Sequence, residues 1–245
     1  MRKTALITGA SSEVGISISN VLASNDINII IHYNNNYESA LELEKKIKEK
    51  YDVDTLLIKA DLTKDEDINN LIEKSLNKFK KIDILINNAA LDKPNIFSEK
   101  NSSEFREILD VNLIAPFLLS KKIGSEMVKN NYGKIINIAS TNGIDTYYPM
   151  CLDYDASKAA LISLTHNLSL EFKPIVNVNA IAPGWIQTKK DMKDLDLEYI
   201  ESEKEKVFKN RFGYPIEIAY LVEFLISEKA EYINNQVIRI DGGMY

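Results

Sequence analysis

The chain has 245 residues, of which 45% are apolar and 27% charged, and its formal net charge is −6. That length suits one ordinary α/β domain. The acidic balance argues against a protein that grips nucleic acid by neutralising phosphates, and no apolar run is long enough to cross a bilayer. One cysteine, Cys151, rules out an intrachain disulfide and fits a reducing cytoplasm, and His32 and His166 stand too far apart in sequence to suggest a metal cluster.

The N-terminus, MRKTALITGA, has a basic start but lacks the apolar core and cleavage site of a secretory leader. It reads instead as a first strand, TALIT (4–8). TGASSEVG, Thr8 to Gly15, follows and runs into ISISNVLASN, which has helical spacing. A strand, a turn of small residues and a helix start make an anion site, because free amides and the positive end of the helix dipole point the same way. A plain βα turn would look similar, and a lone glycine-rich turn is weak evidence. Its position after strand one, where dinucleotide folds hold a diphosphate, favours the nucleotide cradle. Glu13 places a negative charge inside it.

The second strand, INIIIHY (27–33), ends at Tyr33-Asn34, where an NAD-selecting fold carries an acid for the ribose 2′-hydroxyl. Without that acid the usual barrier to a 2′-phosphate is missing, and Asn34, Asn35 and Ser12 could donate hydrogen bonds to it. Against this, Ser12 stands where a cation often precedes the middle glycine. Glu13 at about 6 Å would cost roughly 3 kcal/mol per unit of phosphate charge unless its carboxylate swings toward solvent. The balance favours NADP(H) over NAD(H).

Further strands are DTLLIKA (54–60), IDILINN (82–88), GKIINIAS (133–140), VNVNAIA (176–182) and QVIRI (236–240), with helical stretches such as ESALELEKKIKEK and DEDINNLIEKSLNKF between the early ones. Continuous rather than alternating apolar residues indicate strands covered on both faces. Strands alternating with helices imply right-handed βαβ units and an open, doubly wound parallel sheet. NNAA (87–90) would end the fourth strand on the ligand-binding edge.

YDASK places Tyr154 and Lys158 on one helical face. With 12 tyrosines in a lysine-rich chain, roughly one Tyr-x-x-x-Lys arises by chance, so the spacing alone carries nothing. Cys151 nearby has no sequence neighbour to act as its base. The stretch 187–210 is highly charged with widely spaced apolar residues, which by composition is an exposed helical segment.

The order of the motifs carries more than any one of them. TGASSEVG, ADL (60–62), NNAA, DVNLIAPFLLSK (110–121), IINIAS ending in Ser140, YDASK, NAIAPGWIQT (179–188), RFGYPIEIA (211–219) and IDGGM (240–244) occur in sequence. In that order they resemble the short-chain dehydrogenase/reductase family from end to end. The nearest branch is the one holding 3-oxoacyl-acyl-carrier-protein reductases and glucose-dehydrogenase-like enzymes. The chain departs from the family's pattern at Glu13 for the middle glycine, at Asn234-Asn235 for Thr-Gly, and at NNAA for NNAG.

The resemblance implies a single-domain Rossmann fold over 1–245, with seven parallel strands and helices on both faces. It implies an NAD(P)(H)-dependent oxidoreductase that interconverts a ketone and a secondary alcohol. A 3-oxoacyl-type ketone is the first choice of substrate and a sugar or polyol the alternative; an idle nucleotide-binding subunit is a distant third. By position, Tyr154 matches the general acid/base, Lys158 its activating partner, Ser140 the hydroxyl that holds the carbonyl, and Asn112 a backbone-stabilising member of a proton relay. Gly9, Ser11 and Gly15 match the diphosphate turn, Asp61 and Leu62 the residues beside adenine, Asn87 the adenosine-ribose side, and Ile186 and Thr188 those near the nicotinamide amide. The stretch 187–210 matches a mobile substrate lid, and the family's usual assembly is a homotetramer. No metal is implied.

The chemistry asks for these residue types. Hydride delivered to a carbonyl carbon leaves an alkoxide that needs a proton, and a free phenol with a pKa of about 10 gives one up readily but is a poor base. Moving it toward 7 takes roughly 4 kcal/mol, and a cation about 4 Å away supplies that order at an effective dielectric near 20.

Overall fold

A computed structural model of the chain describes residues 2–244, and of positions 190, 191 and 194 the backbone only. Seven parallel strands form one sheet: β1 (Thr4–Ile7), β2 (Asn28–Tyr33), β3 (Thr55–Lys59), β4 (Ile84–Asn87), β5 (Gly133–Ile138), β6 (Val176–Pro183) and β7 (Val237–Ile240). Their order across the sheet is β3-β2-β1-β4-β5-β6-β7. All seven runs read from the sequence are strands; six are trimmed by one to three residues and β6 runs one further, to Pro183.

The continuous apolar runs have the reason expected of them. Successive side chains of a strand point to opposite faces, and here both faces are covered. Ala5 and Ile7 of β1, Ile29 and Ile31 of β2, and Ile84 and Ile86 of β4 enter one core, while Leu6, Ile30 and Leu85 enter the other. The first core is closed by α1 (Glu13–Ser24), α2 (Tyr37–Lys50) and α9 (Pro215–Ile226), through Leu22, Leu43 and Val222. The second is closed by α3 (Asp65–Phe79), α5 (Ala115–Lys129) and α6 (Leu152–Phe172), through Leu71, Leu119 and Leu168.

The remaining helices are α4 (Ser102–Leu109), α7 (Lys189–Asp194) and α8 (Leu197–Glu205). Between α4 and α5 the backbone passes through one wide π turn, Asp110–Ile114. Such bulges recur at functional sites because they re-aim a side chain, and this one carries Asn112.

The chain runs outward from β1 to β3, then returns to lay β4 on the other side of β1. That reversal opens a crevice at the carboxyl ends of β1 and β4, the place where open α/β sheets bind ligands.

Candidate active site

The turn after β1 is built so that no side chain stands in front of its amides. Gly9 has φ +61°, and a Cβ there would meet Ala89 Cα at 2.9 Å; a Cβ on Gly15 would lie 2.5 Å from the Gly9 carbonyl oxygen. Ser12 caps α1: its hydroxyl accepts from Gly15 N at 3.1 Å and donates to Gly9 O at 2.9 Å. Ser11 is tied to α2, its carbonyl accepting the Ser39 hydroxyl at 3.0 Å. Asn88 braces the turn from β4, its side-chain amide donating to Thr8 O and Gly9 O at 2.8 and 3.1 Å.

His32 is the brace the sequence reading missed. Gly9 N donates to its Nδ1 at 3.0 Å, and its Nε2 lies 3.0 Å from Ala60 O. An amide can only donate, so Nδ1 accepts and the proton sits on Nε2. The ring is buried within β2, which pushes its pKa down to about 4. A lone histidine inside an otherwise apolar strand was the available signal.

Glu13 does not swing toward solvent. Its Oε1 accepts the main-chain N–H of Lys189 at 2.6 Å, across 176 positions of sequence.

Along the adenosine side the candidates divide. Asn34 is exposed just beyond β2. Asp61 closes a small turn of its own, accepting Thr63 N at 3.0 Å and Thr63 Oγ1 at 2.8 Å, which with Lys64 lowers its pKa. Leu62 is buried in the second core, so only its backbone faces the crevice side. Asn87 is also buried: its side-chain amide donates to Asn137 on β5 at 2.8 Å, and its Oδ1 has no partner among the described residues. Ile186 pairs with Gly213 through a short bridge, and the Thr188 carbonyl accepts Met192 N in the first turn of α7.

Ser140, Tyr154 and Lys158 come together at the same sheet edge, Ser140 just past β5 and the other two on α6. The Ser140 hydroxyl accepts Asn142 N at 3.2 Å and donates to Asn142 Oδ1 at 3.1 Å. Burial raises the Tyr154 pKa, with Ser140 opposing it and Asp92 and Asp155 adding to it. Lys158 is buried with its Nζ 2.7 Å from Ile138 O and 5.4 Å from the centre of the Tyr154 ring. Desolvation brings its pKa down to about 8. The ammonium thus stands beside the Tyr154 ring, and burial is the largest influence on both groups. The phenol is held neutral, in its proton-donating form.

Asn112 is fully buried. Its Oδ1 accepts Leu91 N at 2.7 Å, and its Nδ2 donates to Leu91 O and Ser157 Oγ, both at 2.9 Å. Asp155 is a further missed residue: it accepts Asn142 Nδ2 at 2.6 Å and Tyr148 N at 3.1 Å, lashing the loop after Ser140 to α6. Cys151 lies 3.7 Å from Asp92 Oδ2, and burial with that carboxylate pushes its thiol up to about 12, far from a nucleophile's range.

The segment 187–210 is no merely solvated helix. Ile200, Glu203 and Val207 are buried. Glu203 accepts the Tyr148 hydroxyl at 2.7 Å and Trp185 Nε1 at 3.1 Å, and pairs with Lys206 at 2.5 Å. Trp185 stacks on Phe212 at 5.5 Å and meets Tyr148 and Tyr199 edge-on. The hydrogen bonds to its carboxylate overcome the burial that alone would raise the Glu203 pKa, and leave it lowered.

A dinucleotide fits the first half of this edge: the turn offers unobstructed amides at a helix start, and the unpartnered Asn87 oxygen lies behind it. Together, crevice, phosphate turn and the Ser–Tyr–Lys group at its edge define an oxidoreductase of the Rossmann class. The chain belongs to the short chain dehydrogenase family, whose model matches residues 3–197. It is 36% identical over 245 residues to the 3-oxoacyl-[acyl-carrier-protein] reductase FabG of Aquifex aeolicus, covering 99% of this chain and 97% of that one. With the protein of the same name from Staphylococcus epidermidis it shares 34% over 252 residues, with both chains fully covered. Among solved structures, acetoin dehydrogenase YohF from Salmonella typhimurium superposes with a TM-score of 0.89 at 33% identity, covering 100% of this chain and 96% of its own. A putative gluconate dehydrogenase from Agrobacterium tumefaciens gives 0.92 at 26%, covering 99% and 95%. The protein is accordingly an oxidoreductase that interconverts carbonyl and CH–OH groups with a nicotinamide dinucleotide. Among the described residues no helix is long and apolar enough to cross a membrane.

Proposed function

We propose that the protein is an NADP(H)-preferring reductase of 3-oxoacyl-type ketones. The observation that carries this reading is the meeting of Ser140, Tyr154 and Lys158 on the sheet edge that also holds the phosphate turn. The names of the sequence relatives supply the substrate class. When bound, the nicotinamide supplies or accepts the hydride. Tyr154 gives its proton to the alkoxide oxygen as charge develops there, and Ser140 donates a hydrogen bond that strengthens at the same moment. Lys158, with one donor on Ile138 O, keeps others for a ribose hydroxyl and places its charge beside the phenol. Asn112 holds the main chain at Leu91 and, through Ser157, the turn of α6 that carries Tyr154.

Gly9, Ser11, Ser12 and Gly15 frame the diphosphate, with Ser12 acting through its cap. Asp61, the Leu62 backbone and Asn87 border adenosine, and Ile186 and Thr188 border the nicotinamide. The preference for NADP(H) rests on Tyr33-Asn34 closing β2 without an acid and on the exposure of Asn34 and Asn35. We read 1–245 as one domain with 187–210 as its substrate lid, working in the cytoplasm as a homotetramer.

A sugar or polyol substrate is favoured by one observation, the Asp92 carboxylate at the rim close enough to raise the Tyr154 pKa. An acceptor there suits a hydroxyl better than an alkyl chain. Oxidation of NADPH and NADH by a 3-oxoacyl thioester, acetoin and a keto-sugar acid separates the readings. The thioester with NADPH should give the highest kcat/KM. A higher value for the keto-sugar acid would replace the first reading by the second, and consumption with none of them would sink both.

A further inference from the structure

Glu13 is the first residue of α1, at the position where the family's turn has a glycine. Its contact with Lys189 N joins the phosphate turn to the first residue of α7, at the start of the lid. The lid's leading end is therefore tied to the phosphate turn at the mouth of the crevice.

An anion in the first turn of a helix is stabilised by the free amides and the dipole, and a bound diphosphate would draw on the same field. Two anions would then share one place. We propose that Glu13 sets the affinity for the cofactor, as an internal anion that latches the lid, so that a dinucleotide diphosphate binds at the cost of the Glu13–Lys189 contact. The inference rests on the dinucleotide reading above. Only chains with the latch released bind cofactor freely, which lowers apparent affinity by the released fraction. By reciprocity, bound cofactor loosens the leading end of the lid. A glycine at position 13 would forge no such link.

The test uses the full chain, wild type and with Glu13→Gln or Glu13→Gly. Backbone hydrogen exchange over 189–205 is measured without ligand, and NADPH affinity from the cofactor's fluorescence, with inorganic diphosphate as competitor. Glu13→Gly should speed exchange at the start of α7 about tenfold, the size of a lost charge-assisted hydrogen bond, and tighten NADPH by a similar factor. Glu13→Gln keeps an acceptor without the charge, so its bond is about half as strong: exchange should rise about threefold and NADPH tighten by a factor between those of wild type and Glu13→Gly. Inorganic diphosphate should displace NADPH more readily from both variants than from wild type. Unchanged exchange in Glu13→Gly overturns the latch, and faster exchange without tighter NADPH overturns the coupling. If none of the three proteins binds NADPH or NADH, the dinucleotide reading falls and the coupling with it, while the exchange data still report the contact by itself.

Discussion

Lys158 turns its Nζ onto the carbonyl of Ile138, 2.7 Å away, and leaves the Tyr154 ring centre at 5.4 Å. The cation is anchored to the end of β5 by the backbone itself, so its position beside the phenol is set by the sheet. With burial dominating both groups, the phenol keeps its proton until a ligand changes its surroundings.

Tyr154→Phe should therefore preserve folding and cofactor affinity while lowering turnover by roughly 10²–10⁴, the range for losing a general acid. Lys158→Met should lower turnover and also weaken cofactor binding, since the same ammonium serves both. Steady-state kinetics with a cofactor titration check this pair. Near-normal turnover in Tyr154→Phe would remove the assignment.

His32 makes stability depend on acid. Its folded pKa, about 4, is below the ordinary 6.5, so the unfolded chain binds the proton more readily. The stabilising contribution of the neutral ring is fully present above pH 6.5 and is lost as pH falls from there toward 4. Between pH 7 and 5 the loss should be about 2 kcal/mol. His32→Asn keeps an acceptor for Gly9 N and lacks this titration, so urea unfolding of the two proteins should converge as pH drops. Parallel pH profiles would refute the role.

The proposed lid has its own reporter, because Trp185 is the only tryptophan in the chain. Glu203→Ala leaves the Tyr148 hydroxyl without its acceptor, at about 1–3 kcal/mol, while the Trp185 N–H keeps only the Tyr148 oxygen 2.9 Å away. The segment should loosen, shifting Trp185 emission to the red and changing KM and kcat together, as for a gating element. Unaltered emission and kinetics would mean that the segment does not act as a lid.

The proposed homotetramer would use α5 and α6. Phe117 is 39% exposed and Leu170 57%, on helices already apolar toward the core. A homotetramer covers such faces by closed symmetry. Light scattering at micromolar concentration should give four chains, and Phe117→Asp with Leu170→Asp should give fewer. A wild-type monomer would reject the proposal.

The sequence by itself determined the sheet. Strands covered on both faces must be apolar without alternation, so all seven runs were legible from local pattern, whereas the order that lays β4 beside β1 was not. The order of motifs also named Ser140, Tyr154 and Lys158, although the Tyr-Lys spacing alone was no better than chance. The tertiary structure alone decided what each polar group touches. Glu13 meets Lys189 from 176 positions away, Glu203 gathers Tyr148 and Trp185 from three segments, and His32 props a turn 23 residues earlier. Lys158, beside the Tyr154 ring, is anchored by the Ile138 carbonyl 20 residues earlier. Local spacing fixes which face a residue occupies; a hydrogen bond also needs a partner's distance and direction, and those arise only when distant strands and helices are packed around a common core.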